Sequence, residues 1–387
     1  MKKTFLVVFL ALFIFTIIIW WNWAGNISKI LREETQNAKL SQKAEPAILT
    51  LAAVGDVVVH MPIVRSALNE TTGDYDFRPI FSEVSDRLSK ADLTVGVLET
   101  LINNSDRQYT GYPQFNSPAA IADALKWAGI DLVFTAHNHS LDMGTEGMER
   151  TLEYLNKIGL PYVGSLSNNR EKRYRLINIK GINLAFLAYT TTTNGLKAPK
   201  GEEWVVNFFD YQKVTADIAE VKQAGADCII LALHTGIEYQ RNPSSEQIKL
   251  TEWLIKSGVD IILGSHVHVV QPLEYRQYIN PDNGDARDYF IAYSLGNVLS
   301  NQRWKYSDYG ILLNLKLQKK SEGYGVKITQ ASYVPLWVHR YWDHGKYQYR
   351  IKTVTGPEYL GKELDVDKTA RDRIREVWNE TRELFNK

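Results

Sequence analysis

Six of the eight histidines in this chain stand in short segments that also carry carboxylate or amide side chains. Four segments repeat one arrangement: an aspartate opens an apolar run, and a residue able to bind metal or substrate follows six to eight positions later. The segments are KADLTVGVLE, WAGIDLVFTAHNH, QAGADCIILALH and KSGVDIILGSHVH. The residues that end them are Glu99, His137, Asn138, His139, His234, His266 and His268. The repetition predicts that these side chains collect in one place and form a metal or catalytic centre.

Imidazole, carboxylate and amide groups without thiolates suit manganese, zinc, iron or magnesium. The single cysteine, Cys228, excludes a multi-thiolate zinc site. The candidate ligands outnumber those that one tetrahedral ion takes, so two divalent ions bridged by a carboxylate would use them more fully. Such a centre favours hydrolysis of a phosphate ester or a comparable bond. A single structural ion is the alternative, although structural sites usually hold four protein ligands.

The apolar runs of these segments predict strands that are buried on both faces. Helical spacing precedes each run, and this helix-then-strand order predicts βαβ units and a largely parallel sheet. ILTLAAVGD, which ends at Asp56, predicts a leading strand with His60 just beyond it, and DYFIAYSLGN predicts a sixth strand that ends at Asn297. Sites in such sheets form at the carboxyl ends of strands, where all the candidate ligands stand.

The composition is that of a globular protein, with 44% hydrophobic and 23% charged residues. A length of 387 residues fits one large α/β domain with additions. The net charge is +1 and the sequence has no basic stripe, so a nucleic-acid partner is not expected.

The N-terminus predicts a membrane anchor. MKK precedes an uncharged apolar run, so residues 1–4 are expected in the cytoplasm and residues 5–23 across the membrane as a signal anchor. The tryptophans of WWNW suit the outer interface. A cleaved signal peptide is the alternative, but it requires small residues before the cut. Residues 24–47 are predicted to form a polar stalk, and the rest of the chain is expected outside the cytoplasm.

Six motifs occur in a fixed order: VGDVVVH, VLET, TAHNHSLDMG, LHTGIEY, GSHVHVVQ and YSLGN. Together they resemble the CapA family, which is linked to poly-γ-glutamate capsule biosynthesis, within the calcineurin-like metallophosphoesterase superfamily. The resemblance extends from about Leu49 to Arg340, where the segment SYVPLWVHR ends. It implies a four-layer α/β/β/α sandwich over residues 48–340. Residues 341–387 form a C-terminal extension whose apolar spacing predicts an amphipathic helix over 368–387.

The resemblance also implies roles for the matched residues. The metal ligands would be Asp56, Glu99, Asn138, His234, His266 and His268, with Glu99 at the position of a bridging aspartate. His139 would contact the substrate or protonate its leaving group, and Asp142 would orient this histidine.

This sequence departs from the superfamily pattern at three positions. Val58 stands where a ligand histidine is usual, Glu99 replaces an aspartate, and His137 occupies a position where the family more often has asparagine. His60 is a possible replacement ligand, and Asn297 a possible extra one. The metal count and metal identity therefore stay open.

The expected function is that of a membrane-anchored, extracytoplasmic capsule protein with a metal-dependent hydrolase-type site. Alternatives are a non-catalytic membrane subunit of a polymer synthesis or export complex, a peptidase-like enzyme that cleaves a γ-glutamyl polymer, and a metallophosphodiesterase unrelated to capsule. Glu238, Tyr239 and Arg241 follow a ligand strand, and either bind an anionic substrate or form a solvated loop.

Overall fold

The structure is a computed structural model that describes residues 13, 15–17, 19–29, 31–32, 46–103, 108–279, 284, 286–320, 325–356 and 366–385. The chain forms two compact units, Met1–Pro46 and Ala47–Lys387.

In the first unit, residues 19–29 are helical and their tryptophans are exposed. Among the described residues, no helix has the length and apolar character needed to cross a membrane. Residues 1–12, 14 and 18 of the predicted N-terminus and anchor, and residues 30 and 33–45 of the predicted stalk, lie outside the described part.

The second unit contains all the named strands and helices. The strands are β1 (Ile48–Val57), β2 (Leu93–Leu98), β3 (Leu101–Asn103), β4 (Asn116–Pro118), β5 (Leu132–Phe134), β6 (Tyr162–Val163), β7 (Tyr174–Ile179), β8 (Ile182–Thr190), β9 (Cys228–His234), β10 (Ile261–Ser265), β11 (Leu273–Ile279), β12 (Ala286–Ala292), β13 (Asn297–Leu299), β14 (Tyr309–Lys319), β15 (Val326–Asp343) and β16 (Lys346–Thr353). The helices are α1 (Met61–Ala67), α2 (Arg78–Phe81), α3 (Ser85–Leu88), α4 (Ala120–Trp127), α5 (Gly144–Ile158), α6 (Tyr211–Gln223), α7 (Ser245–Ser257) and α8 (Lys368–Phe385).

Fourteen of the named strands form two large mixed sheets, and β3 and β4 pair in a separate small sheet. Sheet 1 has the order β16-β15-β14-β1-β2-β5-β6, with β13 also paired to β1, and sheet 2 has the order β11-β12-β10-β9-β8-β7. Strands β1, β2, β5 and β6 run parallel in sheet 1, as do β8, β9, β10 and β12 in sheet 2. The expectation of one largely parallel sheet is therefore wrong. Apolar runs that are buried on both faces do not reveal which sheet a strand will join.

The two sheets pack face to face between layers of helices. In sheet 2, Ile230 belongs to the apolar cluster shared with sheet 1, whereas its neighbour Ile229 packs in a second cluster with Val214 of α6 and Leu254 of α7. This alternation is the two-residue period of a strand.

Sheet 1 shows the same alternation. The ring of Phe134 lies 6.5 Å from that of Phe186 in sheet 2, while Val133 lies with Leu88 of α3 and Leu125 of α4. The layer order is therefore helices, sheet 1, sheet 2, helices, as the resemblance implies.

Four of the parallel strands are joined to a neighbour by the aspartate that precedes them. In each case the aspartate N–H donates to a carbonyl of the neighbouring strand, and the carboxylate accepts from the N–H of the same neighbour at 2.8 Å. The pairs are Asp92 with Thr50, Asp131 with Thr94, Asp227 with Asn183, and Asp260 with Ile229. The repeated Asp of the sequence is therefore a strand-pairing device.

The folded unit extends past the predicted boundary at residue 340. Strand β15 runs through this position, and β16 pairs with β15 in sheet 1. Helix α8 buries Ile374 and Val377 in the core, with Trp378 and Leu384 packed against it. The apolar spacing of the C-terminal segment therefore reflects core packing.

Candidate metal centre

The candidate ligands stand at the carboxyl ends of five parallel strands, and all of them are buried. Asp56 lies in β1, Glu99 follows β2, Asn138 and His139 follow β5, His234 ends β9, and His266 and His268 follow β10. The first three strands belong to sheet 1 and the other two to sheet 2. The residues therefore meet where two sheets face each other, not along one sheet edge.

A crossing segment, Tyr293–Gly296, brings these two sets of strand ends together. The segment leaves β12 in sheet 2 and enters β13 in sheet 1, so the predicted sixth strand is two strands. The N–H of Asp56 donates to the carbonyl of Gly296 at 2.9 Å. A Cβ atom at Gly55 or Gly264 would lie 1.9 Å from a carbonyl oxygen of the segment. Both positions therefore need glycine because the backbones approach so closely.

The carboxylates of Asp56 and Glu99 are fully buried, and three of their oxygens are unsatisfied. Asp56 Oδ1 and both Glu99 oxygens have no hydrogen-bond partner among the described residues. Glu99 Oε1 lies 3.8 Å from Nε2 of His234 and 3.8 Å from Nε2 of His268. Asp56 Oδ2 lies 3.4 Å from Nδ1 of His268. Buried carboxylate oxygens without donors are costly, and a bound cation would compensate them.

The geometry fits a divalent cation. Asp56, Glu99 and His234 each offer a ligand atom, and these atoms lie within 4.8 Å of one another. Nδ1 of His266 is also buried without a partner in the described part of the chain. Carboxylate oxygen and imidazole nitrogen are the donors that manganese, zinc, iron and magnesium sites use.

His234 is held on both ring nitrogens. Nδ1 lies 2.8 Å from the hydroxyl of Ser265, and Nε2 lies 2.9 Å from Oδ1 of Asn138. The amide nitrogen of Asn138 donates to Oδ1 of Asn194 at 3.2 Å. The Asn138 oxygen and His234 Nε2 therefore face the same point, which suits two ligands of one ion once the proton between them is lost.

His266 and His268 lie on the turn beyond β10 with positive φ values of 90° and 60°. Non-glycine residues rarely adopt this conformation, and those that do cluster at functional sites. The turn brings the N–H of His266 to Asp56 Oδ2 at 3.3 Å. Oδ1 of Asn297 accepts from Nδ1 of His268 at 3.1 Å, while the Asn297 amide nitrogen donates to the His268 carbonyl at 3.3 Å. Asn297 therefore positions His268.

The buried groups shift one another's titration. Burial raises the pKa of Glu99 well above its usual range, with the charge of His268 opposing and that of Asp56 adding to the effect. Burial alone would lower the pKa of His268, but Glu99 and Asp56 outweigh it and raise this pKa to about 9. Burial and neighbouring imidazoles hold the pKa of His234 well below its usual range. A cation bound among these groups would replace protons as their positive partner.

His139 and Asp142 form a pair beside the cluster. Nδ1 of His139 lies 2.7 Å from Oδ2 of Asp142, and this oxygen also accepts the N–H of Phe115 at 2.7 Å. The Phe115 ring meets His139 edge to face at 4.6 Å between centroids. Asp142 and Phe115 therefore hold the imidazole plane and leave Nε2 as the nitrogen able to exchange a proton with a substrate.

His60 and His137 lie near the cluster but differ in their contacts. Nδ1 of His60 lies 3.2 Å from the Val58 carbonyl and 3.3 Å from the N–H of Asn301, which occupies that nitrogen. Val58 is buried and its N–H donates to a backbone carbonyl of β13. His137 is buried 6.1 Å from the His234 ring, and burial holds its pKa well below the usual range. Nδ1 of His60 is therefore engaged by the backbone, whereas Nδ1 of His137 is buried without a partner among the described residues, as is that of His266.

The three residues predicted to contact substrate have different positions. The Tyr239 ring lies 6.0 Å from the His268 ring and is tilted 35° to it, and exposed Glu238 lies beside Tyr239. Arg241 instead donates to the Glu380 carbonyl of α8 at 2.9 Å and lies over the Tyr306 ring. Tyr239 and Glu238 therefore border the cluster, whereas Arg241 ties α8 to the loop after β13.

Ser265, Asn194 and Phe115 were missed as site residues by sequence reasoning. Ser265 immediately precedes the first turn histidine, and Asn194 stands in TTTTNG, so both segments were visible in the sequence. Their partners lie 31 and 56 residues away, and Phe115 lies 27 residues from Asp142. Contacts at such separations leave no local sequence pattern.

Solved structures with similar arrangements include Haemophilus influenzae NAD nucleotidase, at 16% identity and a TM-score of 0.46 over 88% of this chain and 61% of that one. The calcineurin-like phosphoesterase YfkN from Bacillus subtilis matches at 16% identity and a TM-score of 0.43, over 88% of this chain and all of that one. Scores below 0.5 assign no activity to this chain.

Sequence relatives and a family description match this chain more directly. A capsule biosynthesis protein CapA from Bacillus anthracis is 29% identical over 66% of this chain and 61% of that protein. A PGA biosynthesis protein CapA from Bacillus subtilis is 28% identical over 83% of this chain and 80% of that protein. The family described as bacterial capsule synthesis protein PGA_cap matches residues 50–302. This range includes every strand end described above, and the chain belongs to the PGA_cap family of bacterial capsule synthesis proteins.

Proposed function

We propose that this chain is a membrane-anchored, extracytoplasmic protein of poly-γ-glutamate capsule formation, with a hydrolytic site that holds two divalent ions. Family membership and the names of the two Bacillus relatives support the capsule role. The MKK-initiated apolar run over residues 5–23 supports the anchor. The number of candidate ligands supports two ions, drawn from manganese, zinc, iron or magnesium.

The observation that carries the proposal is the unsatisfied pair of carboxylates. Asp56 and Glu99 present three buried oxygens without donors at the point where imidazoles from the second sheet converge. A structural carboxylate in a protein interior is hydrogen-bonded, whereas these three oxygens accept no hydrogen bond from the described residues. When bound, divalent ions would polarise a scissile phosphoryl or acyl group and lower the pKa of water.

The protein side chains divide the remaining tasks. Asp56, Glu99, Asn138, His234, His266 and His268 would hold the ions. His139 lies outside this set, and its Nδ1 is fixed by Asp142 at 2.7 Å. Its other nitrogen would transfer a proton to the leaving group, and the carboxylate of Asp142 would stabilise the imidazolium form. Asn194 contacts both Asn138 and His139 and keeps the two side chains in register.

The full-length chain, purified in detergent and supplied with manganese, tests the hydrolytic role. We expect it to cleave bis(p-nitrophenyl) phosphate or a γ-linked glutamate chain, and the substrate accepted separates a phosphodiesterase from a peptidase-like enzyme. His139→Asn should lower turnover by about 10²–10⁴-fold while metal content stays unchanged. His344→Asn, at an exposed histidine between β15 and β16, is the matched control. Equal turnover in His139→Asn and the wild type would remove the assignment of His139.

One observation favours a non-catalytic membrane subunit as a second candidate. Val58 stands where a ligand histidine is usual, and His60 directs Nδ1 to Asn301 rather than into the cluster. A site with fewer metal ligands would bind metal without catalysing hydrolysis. In a capsule-forming host that depends on this protein, the subunit role predicts that His139→Asn supports capsule formation while deletion of residues 1–22 abolishes it. The hydrolytic role predicts loss in both strains.

A further inference from the structure

The SYVPLWVHR segment has no part in the metal cluster, yet its last residue reaches the border of the site. Arg340 lies in β15 and donates from Nη1 to Oδ1 of Asn301 at 3.1 Å. The hydroxyl of Tyr349, on β16, donates to the same oxygen at 2.6 Å. The backbone N–H of Asn301 donates to Nδ1 of His60, so Asn301 links Arg340 to the histidine that follows β1.

A second arginine lies beside the first. Arg303 donates to the carbonyls of Ser300 and Gln302 at 3.2 and 2.6 Å and lies over the Tyr349 ring. Burial lowers the pKa of Arg303 to about 10, and the charge of Arg340 adds to the effect. Across the described ranges of the chain, neither guanidinium forms an ion pair with a carboxylate. Nearby Asp308 is engaged by Arg373 through two hydrogen bonds.

This arginine pair is connected to the metal centre along two routes. Through Asn301 it contacts His60, whose ring meets Phe115 edge to face at 5.2 Å, and Phe115 in turn contacts His139. Through Gln302 it reaches Asn297, because the Gln302 side chain accepts from the Asn297 amide at 2.9 Å. The guanidinium groups therefore lie on the His60 side of the cluster.

Uncompensated arginines next to a catalytic cluster are typical of anion recognition. A partly buried guanidinium without a counter-ion is costly, and its planar fork matches a carboxylate or phosphate. The half-buried guanidinium of Arg340 has five N–H donors, and its side-chain partners among the described residues are Asn301 and the Tyr349 hydroxyl, so donors remain for a ligand. The aromatic ring of Tyr347, 4.4 Å from the Arg340 guanidinium, holds its plane.

We propose that Arg340, supported by Arg303 and the Tyr349 hydroxyl, forms an oxyanion subsite that binds an acidic group of the substrate at a distance from the scissile bond. This inference rests on the proposed function, under which the oxyanion is a carboxylate of the γ-glutamyl chain. Arg340 would select substrates with a negative charge one or more units away from the reacting bond. The subsite gives the SYVPLWVHR segment a role in substrate recognition.

Equilibrium binding of labelled pentamers to the full-length chain tests the subsite without requiring turnover. The probes are a γ-linked glutamate pentamer, the matching γ-linked glutamine pentamer and a glycerol phosphate trimer. We expect the wild type to bind the glutamate pentamer more tightly than the glutamine pentamer. Arg340→Gln should weaken glutamate binding about tenfold or more, as expected for a lost charge-assisted hydrogen bond, and leave glutamine binding unchanged.

Arg350→Gln is the matched control, because Arg350 pairs with His339 and so lies on the opposite face of the sheet from Arg340. If Arg340→Gln does not fold, Arg340→Lys replaces it in the test. Lysine keeps the positive charge but lacks the planar guanidinium, so glutamate binding should be intermediate between that of the wild type and complete loss. Wild-type glutamate binding in the folded variants, or equal losses for both pentamers, would overturn the subsite. Arg340-dependent binding of the phosphate trimer alone would overturn the carboxylate assignment. Arg340-dependent glutamate binding without any hydrolysis would support the subsite and count against the hydrolytic function.

Discussion

Acidic side chains at the two ends of the parallel strands differ in their hydrogen bonding. At the amino ends, Asp92, Asp131, Asp227 and Asp260 each accept a backbone N–H at 2.8 Å. Three of these carboxylates also form ion pairs: Asp92 with Lys180, Asp227 with Lys319, and Asp260 with Arg287. At the carboxyl ends, Asp56 and Glu99 are buried as deeply as any of them, yet three of their oxygens have no donor among the described residues.

This difference separates acids that pair strands from acids that suit a bound cation. An aspartate whose oxygens are all used contributes to strand pairing and gains nothing from a ligand. A carboxylate that is buried and unsatisfied destabilises the fold unless a cation accompanies it. Mutation of an acid at the carboxyl ends should therefore reduce metal binding and activity, whereas mutation of an acid at the amino ends should reduce stability.

The largest effect is expected for Glu99→Gln. Loss of the Glu99 carboxylate should lower metal-dependent hydrolysis by at least about 1,000-fold, the equivalent of several kcal/mol of transition-state stabilisation. In the presence of chelator, the free energy of unfolding should stay nearly constant, because Glu99 accepts no hydrogen bond that the substitution would remove. Turnover assays and urea unfolding in chelator measure both. A fall of more than about 2 kcal/mol in chelator would show that Glu99 is structural.

Asp260→Ala should have the opposite profile. The change leaves Arg287, which lies 2.6 Å from Asp260, without its carboxylate partner, and it leaves the Ile229 N–H without its acceptor. Breaking a buried pair in this way costs about 3–5 kcal/mol in unfolding free energy, measured by urea denaturation. Metal content per folded molecule should equal that of the wild type. A stable variant that has lost metal would contradict the division between the strand ends.

His339 extends the comparison to an imidazole outside the cluster. Burial lowers its pKa to about 4, and its Nδ1 is buried without a partner in the described residues. Unfolded histidine titrates near 6.5. The unfolded chain therefore binds this proton first, and stability falls as the pH drops from about 6.5 to 4.

His339→Phe, which keeps the stack between Trp337 and Tyr341, should remove this pH dependence. The unfolding free energy of the wild type should fall by about 1 kcal/mol more than that of the variant between pH 7 and pH 5, after allowance for partial exposure of the ring. Parallel pH dependence in the two proteins would show that His339 binds its proton in the folded state as readily as in the unfolded chain.

The smallest effect is expected for Asp92→Asn. The asparagine keeps an acceptor for the Thr50 N–H and loses only the attraction to Lys180, whose side chain is half exposed. Urea unfolding should show a loss of about 0.5 kcal/mol, as is usual for exposed ion pairs. A loss of unfolding free energy comparable to that of Asp260→Ala would mean that burial does not govern how strongly these aspartates stabilise strand pairing.

Much of the site could be predicted from the sequence because its residues follow strands directly. β2 has the bounds of the run LTVGVL, and the apolar runs CIILAL and IILG lie within β9 and β10. A strand that ends at a known position places the next residues at the sheet edge, so Glu99, His234 and His266 could be assigned to one region.

The division into two sheets could not be predicted from the residues. Strands that are apolar on both faces carry no two-residue alternation, so β9 and β10 could not be separated from β1 and β2 by pattern. DYFIAYSLGN gave no sign that the chain changes sheets within it, because its crossing residues 293–296 are as buried as the strand residues around them. The contacts of Asn194 depend on this packing, and Arg340 meets Asn301, 39 residues away, only once sheet 1 has formed.

Metal titration tests the central claim, that the carboxyl-end carboxylates form a cation site, most directly. Full-length protein stripped with chelator would be titrated with Mn²⁺ by calorimetry, alongside Glu99→Gln and the amino-end control Asp92→Asn. We predict that the wild type and Asp92→Asn bind at least about one equivalent with equal affinity, and that Glu99→Gln binds at least about tenfold more weakly. Equal Mn²⁺ affinity in Glu99→Gln and the wild type, or no binding by the wild type, would contradict this claim.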